Sequence, residues 1–283
     1  QCNHRRYILL AEKAAIDGGK EGEAARQSLS RLRGTDINRA IIELLDSEDA
    51  GVRLEAVKSL AAREAKEATA KLLLAAEDKD AKIRAQSWKG LAELAGQQDV
   101  PAMVALWVKL EGESERKAAE DAVVAVARKV PKDNKPAGPI LAVMDSVQDV
   151  NKKASLLSAL GRIGDKKALP ALRDSLKNKD SEIKAAAIRA LSSWPGAEPI
   201  EDLKQVVLST KDAQHKLLAL RGYIRMIGEG NQNAREKIRL YSEAMELAER
   251  VDEKRLVLAG LASVAHIEAL KVAESYLTDS NLK

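Results

Sequence analysis

Four stretches decide the fold: AGVRLEAVKSLA (50–61), AKIRAQSWKGLA (81–92), SEIKAAAIRALS (181–192) and AQHKLLALRGYI (213–224). With Val52 as anchor, the equivalent positions are Ala24, Val52, Ile83, Ala118, Lys152, Ile183, His215, Glu253 and Leu282, spaced 28 to 38 residues apart and about 32 on average. A period of that length belongs to helical repeat arrays. Five residues after the complete anchors stand Leu29, Val57, Trp88, Val123, Leu157, Ile188, Leu220 and Leu258. Eight after stand Leu32, Leu60, Leu91, Val126, Leu160, Leu191, Tyr223 and Leu261. Two apolar columns three residues apart mark one face of a helix.

The polar columns fix where each helix begins. Three residues before the anchor stand Glu21, Asp49, Asp80, Glu115, Asp149, Asp180 and Asp212, acids suited to capping free backbone amides. Arg250 takes that position in a later repeat. One residue after the anchor come Arg53, Arg84, Lys153, Lys184, Lys216 and Lys254, with Ala119 as an exception. Acid then base four residues on is the favourable order on a helix, and the repetition also suits a ladder between adjacent repeats. Four after the anchor the side chain is small in most repeats, as in Ala56, Ser87, Ala122, Ala187 and Ala219, so neighbouring helices can approach closely.

Between these helices a second set is predicted at about 36–46, 67–77, 101–111, 138–147, 168–177, 199–209, 234–249 and 266–277. Pro101, Pro139, Pro170 and Pro199 lie near their starts, where a missing amide does least harm. Helices this short are marginal alone, so stability comes from stacking one pair on the next. The expectation is a single array over 1–283, with irregular junctions at 131–139 and 228–233. Asp279, Leu282 and Lys283 repeat the cap, anchor and base of a new helix, so the chain is expected to be a portion of a longer protein.

Composition narrows the function. There is no Phe, and three Trp and four Tyr leave an aliphatic and Ala-rich apolar content, which points away from β-rich folds. The 47 basic and 43 acidic residues give a net charge of only +4, without the basic excess of a dedicated nucleic-acid binder. One cysteine, Cys2, forms no internal disulfide and no Cys-based zinc site. Every apolar run is interrupted by charge, so no membrane insertion is expected.

The stretches DSEDAGVRLEAVKSLA (46–61) and GDKKALPALRDSLKNKDSEIKAAAIRALSSWP (164–195) resemble HEAT-like repeats of the short kind found in phycobilisome lyases. The later part, with ALSSWPGAEPIEDL (190–203), HKLLALRGYIRMIG (215–228) and EKRLVLAGLASVAHIEALKVAESYL (253–277), is similar to HEAT arrays inside large bacterial extracytoplasmic proteins. The resemblance implies an all-α fold, a right-handed α-α superhelix or α-solenoid of stacked antiparallel helix pairs. It also implies a periplasmic or secreted location, and places the capped helix of each pair on the concave side.

On that side two columns carry cations. Lys58, Lys89, Arg189 and Arg221 stand six after the anchor, and Arg128, Arg162 and Arg225 ten after, and these are the candidate partner-binding residues. His4, His215 and His266 are far apart and lack metalloprotease spacing, so no catalytic residue, cofactor or metal site is predicted. GGKEG (18–22) and GEG (228–230) complete no phosphate-binding fingerprint, and acidic strings such as DSEDAG (46–51) are explained by helix capping. Trp88 and Trp107 are assigned to the core, and Trp194 to packing at a helix end.

The expected function is a non-catalytic scaffold that binds a protein segment or a neighbouring domain of the same polypeptide. The alternatives are nucleic-acid binding, as in HEAT-like DNA glycosylases, and a chromophore lyase or chaperone. Low net charge and few stacking aromatics weigh against nucleic acid as the partner.

Overall fold

The structure, a computed structural model, describes residues 8–11, 14–16, 19–32, 35–131, 134 and 136–276. The candidate repeat start at Asp279, Leu282 and Lys283, together with Cys2 and His4, lies outside the described residues. Among the described residues there is no strand. The chain divides into two compact units, Gln1–Val143 and Met144–Lys283.

In the first unit the helices are α1 (Gly19–Arg31), α2 (Thr35–Leu44), α3 (Ala50–Ala62), α4 (Thr69–Ala75), α5 (Ala81–Leu94), α6 (Val100–Trp107), α7 (Glu113–Lys129) and α8 (Gly138–Val143). Helices α1, α3, α5 and α7 pack one on the next as a row. Against that row lie α2 on α3, α4 on α5 and α6 on α7. In the second unit the helices are α9 (Val150–Ile163), α10 (Leu169–Leu176), α11 (Ser181–Ser192), α12 (Ile200–Ser209), α13 (Ala213–Glu229), α14 (Ala234–Leu247), α15 (Val251–Ala262) and α16 (Ile267–Glu274). Here α9, α11, α13 and α15 form the row, with α10, α12 and α14 laid against it. Both units are therefore α-solenoid stacks of antiparallel helix pairs, as the periodicity predicts.

Local chemistry sets the boundaries. Asp49 accepts from the amides of Gly51 (2.8 Å) and Val52 (3.3 Å), Asp149 from Lys152 (2.8 Å), and Asp212 from Gln214 and His215 (both 2.9 Å). Asp80 and Asp180 cap α5 and α11 in the same way. These bonds satisfy donors that a helix start leaves orphaned. Two acids of the column depart from this: Glu21 and Glu115 lie inside the first turns of α1 and α7 instead of capping them. Where Arg250 replaces the acid, the anchor Glu253 reaches back and accepts from the amides of Glu249 (3.0 Å) and Arg250 (3.1 Å).

Three intervening helices, α4, α6 and α10, are entered through a single 3-10 turn at Lys66–Ala68, Gln97–Asp99 and Lys166–Ala168. Pro101 and Pro170 sit in the first turn of α6 and α10. Helix α13 runs through Glu229, and α14 is 14 residues long where α10 has 8, which takes up the longer spacing before Glu253.

Both apolar columns enter the core. Val57, Leu60, Trp88, Leu91, Val123, Leu157, Leu160, Leu191 and Leu220 are all buried, each such side chain worth about 1.5–3 kcal/mol relative to exposure. Two positions differ. Leu32 follows the end of α1 and is exposed. Leu258 is half-buried while Val257 takes the core position, because α15 is the last described helix of its row and has only α13 beside it there. Its buried strip narrows to Glu253, Val257 and Leu261.

Helices α9 and α11 come together more closely than side chains normally permit. A Cβ built on Gly161 would lie 2.6 Å from the Cα of Ala190 and still nearer its carbonyl oxygen. Gly164, with φ +70°, then closes α9 in the left-handed conformation that glycine adopts without strain.

Candidate functional site

Several cations of the stacked rows hold neighbouring repeats together. Arg53 is buried, and its Nε and Nη2 donate to Asp78 Oδ2 (2.7 Å) and Oδ1 (3.0 Å) in the turn before α5. Its Nη1 donates to the carbonyls of Ser47 and Glu48. Arg84 repeats the arrangement, pairing with Glu115 and donating to the carbonyls of Asp78 (2.7 Å) and Lys79 (3.1 Å). Lys216 pairs with Glu249. The ladder therefore runs forward to the next helix pair, not back to the acid four residues earlier, whose carboxylate is occupied as an N-cap. The hydrogen bond from Arg53 holds Asp78 below the usual carboxylate range, and the same bond raises the Arg53 guanidinium.

A second device ties the other end of three of the row helices, α3, α7 and α13, to the helix before. Arg225 Nη2 donates to the carbonyls of Ser192 (2.9 Å) and Trp194 (2.7 Å), at the end of the preceding row helix. Arg63 does the same to Leu32 (2.6 Å) and Leu29, and Lys129 to Ala92 (2.9 Å) and Glu93 (3.2 Å). These are C-terminal carbonyls without intrahelical donors, so a cation there satisfies both the hydrogen bonds and the helix dipole.

Against that background the seven candidate cations separate. Lys58 pairs with the buried Glu55 at 2.6 Å. Burial works against the Glu55 charge, yet bonds from Arg26 and Lys58 outweigh it and lower its pKa. Arg225 is a carbonyl cap that also pairs with Glu229, and Arg221 pairs with Asp252 at 3.6 Å. Arg162 has a partner of its own. Lys89, Arg128 and Arg189 are exposed, and their side chains have no hydrogen-bond or ion-pair partner among the described residues.

Two of the seven meet at one groove of the second unit. Its volume is about 270 Å³, and it lies between α9 and α11 with walls that include Ala154, Ser158, Ala186 and Ala190. Arg162 and Arg189 are its charged lining residues. The pairing is legible only across repeats, since Arg162 comes ten after one anchor and Arg189 six after the next. In the first unit a hollow between α2 and the 3-10 turn at Lys66–Ala68 is lined by Asp36, Arg39, Ile42, Glu43 and Glu67.

Among the described residues each carboxylate with a displaced pKa is displaced downward. Burial raises the Tyr223 phenol, aided by Glu243 and Glu201, so it stays protonated. His215 is buried at its anchor, and His266 caps α16 by accepting from the Glu268 amide at Nδ1 (3.2 Å). Trp88, Trp107 and Trp194 are all in the core, and Trp194 Nε1 donates to Glu198 at 3.0 Å. Among the described residues no cluster of three or more His, Cys, Asp or Glu side chains is arranged to hold a metal ion, and no helix is long and apolar enough to cross a membrane.

Comparison with known proteins agrees with this architecture. Solved structures of similar fold include importin beta, with 13% identity and a TM-score of 0.56 over 90% of this chain and 40% of that one. Another is Kap95p in its complex with RanGDP, with 12% identity and a TM-score of 0.57 over 95% of this chain and 42% of that one. The chain thus spans about two fifths of these karyopherins. The complex of CpcE and CpcF of phycocyanin lyase from Nostoc sp. PCC7120 matches at 22% identity and a TM-score of 0.39, over 87% of this chain and 96% of that one. No curated protein matches the sequence. Residues 37–123 and 139–222, more than half of the chain, match the family described as HEAT repeats. With its capped, stacked helix pairs, the chain belongs to the HEAT-repeat family.

Proposed function

We propose that this protein is a non-catalytic scaffold that docks a protein segment or a neighbouring domain on the exposed face of its stacked helix row. The observation that carries this is the groove between α9 and α11, where small walls leave room for an incoming side chain and Arg189 has no partner among the described residues. Karyopherins of the same fold class are protein binders: Kap95p binds RanGDP, and Kap121p binds the SUMO protease Ulp1p. Repeat surfaces of this kind bind through distributed contacts, with large effects confined to a few Arg or aromatic positions.

Selection of a random peptide display library against the folded protein tests the proposal. Enriched peptides are expected to compete with one another, and to lose binding when Ser158→Trp fills the groove. A library that yields no binder, or binders indifferent to every change on α9, α11 and α13, contradicts it.

A further inference from the structure

We infer that the groove between α9 and α11 receives an acidic side chain, so that the partner is a protein segment carrying Asp or Glu. This deepens the docking proposal and rests on it. The volume, about 270 Å³, lies just below the range of pockets for free drug-sized ligands, so the groove suits one or two side chains of a docked segment. Its walls are helix surface, whose backbone amides are spent within the helices, so recognition falls to side chains.

Among the described lining residues the charges are those of Arg162 and Arg189, and none is an acid. Arg189 has no intramolecular partner among the described residues. A guanidinium presents a planar fork that matches a carboxylate in two parallel hydrogen bonds, and small neighbours let the incoming group reach it without displacing bulk. Arg162, which has a partner of its own, lines the same opening, so the recognition falls to Arg189.

A nucleic-acid backbone fits this surface less well. Duplex binding needs several free cations in register with the phosphates. On α13, next in the row, Arg221 is matched by Asp252 and Arg225 by Glu229. One free arginine beside a small-walled groove is a site for a single carboxylate.

Fluorescence anisotropy with labelled repeat peptides of Glu-Ser-Gly, Gln-Ser-Gly and Lys-Ser-Gly, and with a DNA duplex, tests the inference on the full chain. The Glu peptide is expected to bind most tightly, and Arg189→Gln to weaken it by about tenfold. Lys179→Gln, an exposed cation outside the groove, should change it by less than about twofold. Arg189→Glu should invert the preference, favouring the Lys peptide. Helix content and the melting curve confirm that each variant is folded.

Equal binding of the Gln peptide, equal losses from Lys179→Gln and Arg189→Gln, or tighter binding of the duplex through Arg189 would each overturn the inference. Display-selected peptides that occupy the groove without acidic residues would sink the acidic specificity and leave the docking proposal standing. A groove that no selected peptide occupies would sink both.

Discussion

Arg53 and Asp78 form a two-point ion pair, Nε to Oδ2 at 2.7 Å and Nη2 to Oδ1 at 3.0 Å, that joins α3 to the turn leading into α5. Both side chains are largely withdrawn from water, at 7% and 12% exposure. Removing one partner of such a pair strands the other charge. Arg53→Ala is therefore expected to cost about 3 kcal/mol of stability, and Asp78→Ala a comparable amount. In a double-mutant cycle by urea denaturation the two losses should be strongly non-additive. Additive losses would mean that the pair is not coupled.

The same pair sets an acid limit. The pKa of Asp78 is lowered in the folded protein by its bond to Arg53. Its stabilising contribution is therefore complete above the unfolded value of about 3.9 and is lost as pH falls through the lower folded value. The stability difference between the wild type and Asp78→Asn should be constant from neutral pH down to about pH 5, and should shrink as the solution is made more acid. A difference that grows on acidification would give the shift the wrong sign.

Two arginines of the second unit should separate by role. Arg225→Ala removes donors from the carbonyls of Ser192 and Trp194 and is expected to cost about 1–2 kcal/mol. Arg189→Ala removes no intramolecular bond among the described residues and should stay within about 0.5 kcal/mol of the wild type. Thermal melts of the two variants side by side measure the contrast.

Gly161→Ala probes the close approach of α9 and α11. Alanine is the better helix former by about 1 kcal/mol, but the new methyl would meet the backbone of Ala190, which cannot rotate away. The net expectation is a loss of about 2 kcal/mol. A stabilised variant would show that the two helices have room to spare.

Much of this was legible in the sequence because stacking imposes columns. Leu60, Leu91, Leu160 and Leu191 share one offset and one burial, and Asp49, Asp149 and Asp212 cap where their offset places them. The fate of the cations was not legible. Arg53 sits four residues after Asp49, yet it bonds to Asp78, because amides of α3 already occupy the Asp49 carboxylate. Arg225 and Arg189 look alike as exposed bases, and only the position of the preceding helix end reveals that one is a carbonyl cap. The groove itself needed two columns from adjacent repeats to be joined, a relationship that no single helix displays.

Alanine methyl NMR offers the most direct test of the docking face. Ala154, Ala186 and Ala190 carry methyl groups in the groove, while Ala171 lies on α10 among the intervening helices. On titration with a display-selected or Glu-Ser-Gly peptide, the signals of Ala154, Ala186 and Ala190 should move together and saturate, and that of Ala171 should stay in place. Saturable shifts at Ala171 with the groove methyls unmoved would contradict the account.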